Sequence, residues 1–475
     1  MILTMTTSPS RIFTPQNLKR AGLVVAAYWT IQYAGYYATV EGPVSKDNRS
    51  VGGDFHCFYA AGKTILEGHG PNLYNPDFQL QFQARSLNNR TDHILCPYVN
   101  PPTLAIACAP IAALPYFPAF HLHTALMLIS GLVSLAIIKK HIPTLHQHWT
   151  AVVLLSLTFY PSLRATIGGQ NTMLSLLLIT LIFDGLITNK PHRAGIALGM
   201  LFFKPHFAIT LFILIAVGKH YRTLKICIVT ALSEYAIAAA ICGPAWPLDM
   251  LKEVRRYLPA ELIYNGPTDI SLMGALQYAW QAPQTAAGIA FAVAIFITLI
   301  IKWRATTLRA CSDQLPGRQS STNDAGARCL SRTFSSGNPF PHFVRSMLLS
   351  ASSMRRTSSR QSSITNVSSN LNSLWALTLT GIIAASPHTQ FYDLGIVIPA
   401  VLLTLDHLKS TNQPIPSTWI ILLVAAYTLT PFFRISTQIG FQPLAFIAPL
   451  IFIWTLSATF PSPVQNLQPT PEPQT

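Results

Sequence analysis

The chain has 475 residues, of which 50% are hydrophobic and only 10% charged, and its mean hydropathy is +0.37. A soluble globular domain carries roughly 25% charged residues, so the composition excludes that class and indicates an integral membrane protein. The net charge is +15, but the basic residues flank apolar runs or gather in one polar stretch. No aromatic and basic residues alternate as a nucleic-acid surface requires, so the charge is read as topology and a nucleic-acid partner is excluded.

Apolar runs long enough for a hydrocarbon core of roughly 30 Å are predicted near 20–40, 118–139, 148–163, 170–188, 222–243, 283–302, 373–387, 391–407, 417–434 and 441–460. One further stretch, "RAGIALGMLFFKPHFAITLFILIAVGKHYR", has basic residues at both ends, Lys190 and Arg193 before it and in it, and Lys219, Arg222 and Lys225 after. Both ends then face the cytoplasm, which requires a helical pair broken at Lys204–Pro205. The expected fold is an all-α polytopic membrane protein with about 12 transmembrane or re-entrant helices.

The same basic bias orients the chain. Arg11, Lys19 and Arg20 before the first run, Lys139 and Lys140 after the second, and Lys302 with Arg304 are assigned inside. A large first loop, 41–117, and a second, 244–282, then lie outside. The chain divides into a cytoplasmic N-terminus (1–20), a transmembrane core (21–303), a Ser/Arg-rich loop (304–370), C-terminal helices (371–460) and a Pro-rich tail (461–475). The 304–370 stretch has too little apolar periodicity to offset its ordering entropy and is expected to be a disordered cytoplasmic loop. The first apolar run lacks a cleavage pattern and is expected to stay as an anchor.

The first outer loop carries "GGDFHCFYAAGKTILEGHGPNLYNP". Phe58, Ala61, Ile65 and Leu66 fall at helical spacing, with Lys63 and Glu67 on another face, which reads as an amphipathic helix lying on the membrane. That reading leaves Asp54, behind two glycines, unexplained. Cys57 and Cys96 both fall in this loop, either as a disulfide or as two thiols. "HLH" at 121–123 and "HQH" at 146–148 lack carboxylate or cysteine partners, so no metal or cofactor is indicated.

Five stretches in order carry a resemblance: "GGDFHCFYAAGKTILEGHGPNLYNP", "YVNPPTLAIACAPIAALP", "GQNTMLSLLLITLIFDGL", "HRAGIALGMLFFKPHFAITLFILI" and "SPHTQFYDLGIVIPAVLL". Together they resemble glycosyltransferase family 87, membrane enzymes of the C-fold type. The resemblance implies transfer of a hexose, typically mannose, from a polyprenyl-phosphate donor to a glycan or glycolipid acceptor, outside the plasma membrane and with inversion. It maps the family's loop carboxylate, the general base, to Asp54.

Cations would stabilise the departing phosphate. Lys204, beside Pro205 and at membrane depth, either binds that phosphate, snorkels or pairs with an acid. His388, Tyr392 and Asp393 form either a substrate contact or a polar interfacial turn. Gln170 and Asn171 either meet sugar hydroxyls or cap a helix. Arg255 and Arg256 are weaker phosphate candidates, because an exposed charged helix face explains them. A rival class is a transporter, flippase or lipid-binding protein, which would need the groove and cations but not Asp54.

Overall fold

The computed structural model describes residues 14–38, 40–45, 50–87, 96–280, 285–312 and 357–460. Helix α1 (Pro15–Ala38) leads into a two-residue antiparallel hairpin, β1 (Val40–Glu41) with β2 (Val44–Ser45). Three short helices follow, α2 (Phe55–Leu66), α3 (Pro76–Ser86) and α4 (Pro102–Ala112), and then the long α5 (Tyr116–Lys139). Next come α6 (Trp149–Thr158), α7 (Tyr160–Ile167), α8 (Thr172–Ile187), α9 (Pro191–Met200), α10 (Pro205–Val217) and α11 (Tyr221–Cys242). The middle of the chain ends with α12 (Trp246–Tyr264), α13 (Leu272–Trp280) and α14 (Thr285–Ser312). The C-terminal part holds α15 (Thr357–Ala384), a 3-10 segment Phe391–Val397, α16 (Ile398–Ser410), α17 (Ser417–Leu429), α18 (Ser436–Ile439) and α19 (Ile447–Thr459).

Local chemistry sets these boundaries. Proline opens α3, α4, α9 and α10, where its missing N–H costs nothing. Asn75 caps α3 by accepting from the N–H groups of Asp77 and Phe78. The pair expected at 193–222 is broken where the sequence predicts: α9 ends, Leu201–Phe203 tightens into a 3-10 turn, and Pro205 starts α10.

Among the described residues, five helical runs are long and apolar enough to cross a membrane: Tyr116–Lys139, Tyr221–Cys242, Ala286–Thr307, Phe391–Ser410 and Ser417–Ile439. A sixth results if α6 and α7, bent by 59°, count as one span. This falls short of the expected twelve, because Pro102–Ala112, Thr172–Ile187, Pro205–Val217 and Pro443–Thr459 are shorter apolar helices. Helix α1 has the length but carries four tyrosines and a glutamine in its second half. Both ends of the stretch expected as a disordered loop are helical, since α14 runs to Ser312 and α15 starts at Thr357; 313–356 lies outside the described residues, as does the 461–475 tail.

Burial separates two kinds of surface. Phe183, Leu198, Phe207, Leu211 and Leu214 are buried, as are Trp375 and Trp454, so α8, α9, α10, α15 and α19 contribute to the core. Side chains such as Val24, Val229, Leu232, Ile301 and Ile421 are more than half exposed, on α1, α11, α14 and α17. An apolar surface of this extent suits contact with lipid.

At the end of the bundle carrying the basic flanks, polar groups tie the helices together. Asp184 pairs with Arg193 and with His141. Asp406 accepts from the Thr144 N–H at 2.9 Å and from its hydroxyl at 2.7 Å.

One expectation is corrected here. Helix α2 does not lie on a surface: Phe55 to Gly62 are all buried, under α4 and α5. The physical reason is Gly62, where a Cβ would stand 2.9 Å from the Cys108 backbone, so α4 packs directly onto it. Cys57 and Cys96 are both free thiols.

Close helix contact recurs at Gly195 and Gly199, a G-x-x-x-G spacing on α9. A Cβ at Gly195 would meet the Thr223 carbonyl at 2.6 Å, and one at Gly199 would meet Thr230 Cβ at 2.5 Å, so α9 and α11 touch backbone to backbone. Gly199→Leu should force them apart at a cost of about 1–3 kcal/mol. A lowered thermal unfolding temperature in lipid nanodiscs checks this, with the lipid-exposed Val229→Leu expected to match wild type.

Candidate active site

Two glycine pairs build the centre of the site. Gly52 and Gly53 adopt φ of +85° and +55°, and Gly169 adopts +71°, conformations that cost other residues dearly. The pairs interlock. A Cβ on Gly53 would stand 2.8 Å from the Gly168 carbonyl, and one on Gly169 would collide with the Gly52 carbonyl and the Phe55 N–H. The Asp54 N–H donates to the Gly168 carbonyl at 3.2 Å. Asp54 and Gln170, each following its glycine pair, are thereby brought side by side, and Gln170 Nε2 donates to Asp54 Oδ2.

Asp54 is exposed by its surface area yet closely ringed by protein. Burial pushes its pKa above the ordinary carboxylate value; the Gln170 hydrogen bond pulls it back, Glu261 adds to the rise and Arg164 opposes it. Tyr392, next to Asp393, lies within electrostatic reach of Asp54, Asp393 and Glu261.

A second cluster adjoins the first. Lys204, at the break between α9 and α10, donates to Asp393 Oδ1 at 2.7 Å, and the Thr172 hydroxyl donates to the same oxygen at 2.7 Å. Of the three readings of Lys204, the structure shows the pairing with an acid. The ion pair joins residues 189 positions apart, locking the α8 and α10 starts to the 3-10 segment Phe391–Val397.

His388 sits between two carboxylates, with Nδ1 2.8 Å from Asp269 and Nε2 3.3 Å from Glu261. Asp269 is itself held by the N–H groups of Ser271 and Thr389, and Glu261 accepts from Asn265. Burial pulls the His388 pKa down, but the hydrogen bond to Asp269 and the charges of Asp269, Glu261 and Asp393 outweigh it and push it up to about 9. Both ring nitrogens therefore donate, and the side chain is an imidazolium at neutral pH.

The remaining candidates are placed differently. Asn171 precedes α8 but makes no side-chain cap, and its Oδ1 is buried without a partner. Arg256 is occupied by Glu253 at 2.6 and 2.8 Å, and Arg255 is exposed. Asp54 with Gln170, and Lys204 with Asp393, form hydrogen-bonded pairs, and Tyr392 and His388 lie within electrostatic reach of Asp393; Arg255 and Arg256 join them through no hydrogen bond or ion pair among the described residues.

The sequence reading missed Glu261, Asp269 and Arg164. Glu261, on α12, and Asp269, in the turn after it, gave no local signal, as other polar residues surround them in the sequence. Arg164 did give one, a charge at the end of an apolar run, but the span predicted over 148–163 stops one residue short of it. Among the described residues, no group of three His, Cys, Asp or Glu side chains is arranged to hold a metal.

Fold and site together define a polytopic helical membrane protein with a hydrogen-bonded carboxylate, Asp54, and cations that are ion-paired to neighbouring acids. Residues 98–321 match the family model described as Glycosyltransferase family 87. The match covers somewhat under half of the chain and agrees with the sequence motifs: this region is similar to that family of membrane glycosyltransferases. It takes in Arg164, Gln170, Lys204, Glu261 and Asp269 but ends before His388 and starts after Asp54. No curated protein and no solved structure matches the chain.

Two outcomes follow from this geometry. Gly169→Ala should cost about 1–3 kcal/mol through its left-handed backbone and separate Gln170 from Asp54, lowering the thermal unfolding temperature. The His388 ion pairs are stabilising where the imidazole is charged when folded. Its unfolded pKa is about 6.5 and its folded pKa about 9, so their contribution is full below the first value and lost as pH rises through the second. Between pH 7 and 10 the unfolding temperature of the wild type should fall more than that of His388→Ala.

Proposed function

We propose that the protein transfers a hexose, mannose in the first instance, from a polyprenyl-phosphate donor to a hydroxyl of a glycan or glycolipid, with inversion and on the extracytoplasmic face of the plasma membrane. The observation that carries this reading is Asp54, a carboxylate positioned by two interlocked glycine pairs and bonded to Gln170.

In this reaction the acceptor hydroxyl attacks C1 of the donor sugar. A new C1–O bond forms, the C1–O bond to phosphate breaks, and the bonding electron pair stays on the phosphate oxygen. Asp54 takes the hydroxyl proton. A raised carboxylate pKa suits that role, because a general base works best when its pKa lies nearer the operating pH. Gln170 orients the carboxylate through its amide. In this reading Asn171, whose buried Oδ1 has no partner among the described residues, and Tyr392 would meet sugar hydroxyls.

The departing phosphate gains a negative charge, so fixed positive charge beside it lowers the barrier. His388 supplies such a charge in the donor's absence, held between Asp269 and Glu261. Lys204 reaches the phosphate by sharing itself with Asp393, whose charge it already balances. Arg255 and Arg256 are left to the rim of the site, where long side chains meet solvent and acceptor.

Purified protein in lipid nanodiscs, given radiolabelled polyprenyl-phosphate-mannose and a membrane-glycan extract, should pass label into product. Asp54→Asn should reduce turnover by about 10²- to 10⁴-fold while keeping donor binding; undiminished transfer by this variant would remove Asp54 as the base. Turnover should also follow a bell. It rises with pH through the elevated Asp54 pKa, as the base loses its proton, and falls near pH 9 as His388 loses its charge.

A further inference from the structure

One pair of side chains near Asp54 has no part in the proposed reaction. Cys57 stands in the first turn of α2, and its N–H donates to the Asp54 carbonyl at 3.1 Å. Cys96 belongs to the segment that leads into α4. Both are free thiols, and they meet, joined by a hydrogen bond between the two side chains.

The backbone around Cys96 is held in place from both sides. Gln83 of α3 grips it twice, donating to the Cys96 carbonyl at 2.6 Å and accepting from the Cys96 N–H at 3.0 Å. Gln79, one turn earlier, accepts from the Tyr98 N–H at 2.7 Å. On the other side the Tyr98 ring stands perpendicular to the ring of Phe58, the residue after Cys57, with centroids 6.4 Å apart. The segment is thus clamped between α3 and α2, with its thiol against Cys57. The contact with Cys57, and then burial, push the Cys96 thiol well above its usual pKa. A thiol kept protonated is inert toward passing electrophiles, as a structural pair should be. The basic flanks put 41–117 on the outer side, where paired thiols oxidise and stay oxidised.

We propose that Cys57 and Cys96 are a modification site, joined by a disulfide that ties the first turn of α2 to the segment before α4. The inference needs the first loop to face an oxidising compartment, but no particular sugar donor. Its co-reactant is the disulfide of an extracytoplasmic thiol oxidoreductase. Cys96, only partly buried where Cys57 is buried, attacks one of its sulfurs as the thiolate and expels the other. The Cys57 thiolate then attacks the Cys96 sulfur of the mixed disulfide and releases the enzyme. The two protons and two electrons lost by the cysteines are gained by the oxidoreductase, which is left as a dithiol. The product closes a loop of roughly 40 residues and stabilises the fold by restricting the unfolded chain. It also fixes α2 at two points, Cys57 by the bond and Gly62 by the packing of α4, so the turn carrying Asp54 is anchored on its helix side.

The test quenches intact cells expressing the full-length protein in acid, then alkylates with N-ethylmaleimide under denaturing conditions, so that burial hides no free thiol. Peptide mapping by mass spectrometry without reductant should find Cys57 linked to Cys96, with neither alkylated until a reductant is added. In nanodiscs, reductant should lower the wild-type unfolding temperature by a few degrees and leave those of Cys57→Ala and Cys96→Ala unchanged. Alkylation of both cysteines in wild type without reductant would overturn the proposal, as would a bond from Cys57 to Cys108. A bond found only when the acid quench is omitted would show oxidation after lysis and overturn it too. Reductant shifts of equal size in wild type and variants would remove the stabilising tie. Mapping of wild type decides the pairing even if the alanine variants do not fold, and sugar transfer by a protein with both thiols free would leave the proposed function standing.

Discussion

The close approach of two glycine pairs, 52–53 and 168–169, is the constraint on which the site depends. Side chains at Gly53 or Gly169 would drive apart the turn before α2 and the turn before α8. Those turns belong to segments 116 residues apart, and without their contact Asp54 would have no fixed neighbour. Steric permission, more than attraction, therefore sets the geometry of the carboxylate. The Gln170 hydrogen bond then fixes its orientation, and the buried α2, pinned under α4 at Gly62, keeps the turn from swinging away.

Around this contact the charges are arranged in matched sets. Asp393 serves Lys204 and Thr172 together, and Asp269 holds His388 while being held by two backbone N–H groups. Low-dielectric surroundings make an unmatched charge expensive and a matched one rigid. The result is a set of charged side chains, Lys204, His388, Asp269 and Asp393, each held in place by its partners before any substrate binds. Preorganisation of this kind is what electrostatic catalysis requires, since the dipoles need not turn as charge moves.

Much of this was legible in the sequence, for identifiable reasons. The break at Lys204–Pro205 was readable because basic residues at both ends and a proline in the middle leave one solution. Asp54, Gln170 and His388 stood out as polar residues beside glycine or proline in an apolar chain. The pairings were not legible, because Asp269 lies 119 residues from His388 and Asp393, itself a candidate, 189 from Lys204. Helix α2 was misjudged for a related reason. Its apolar face predicts a surface helix, while its small residues, Ala60, Ala61 and Gly62, let another helix cover the opposite side. Span lengths were less legible, since hydropathy registers an apolar stretch without seeing that proline or glycine has cut it into short helices.

The Lys204–Asp393 pair carries a consequence for biogenesis. A chain emerging from the ribosome presents Lys204 to the bilayer long before residue 393 has been made, and throughout that interval the lysine lacks its counter-ion. The α9–α10 break can settle at its final depth only once the C-terminal third of the protein has been synthesised and threaded into place. Assembly is thus tied to completion of translation, and a truncated chain retains an unneutralised lysine that membrane quality control can recognise.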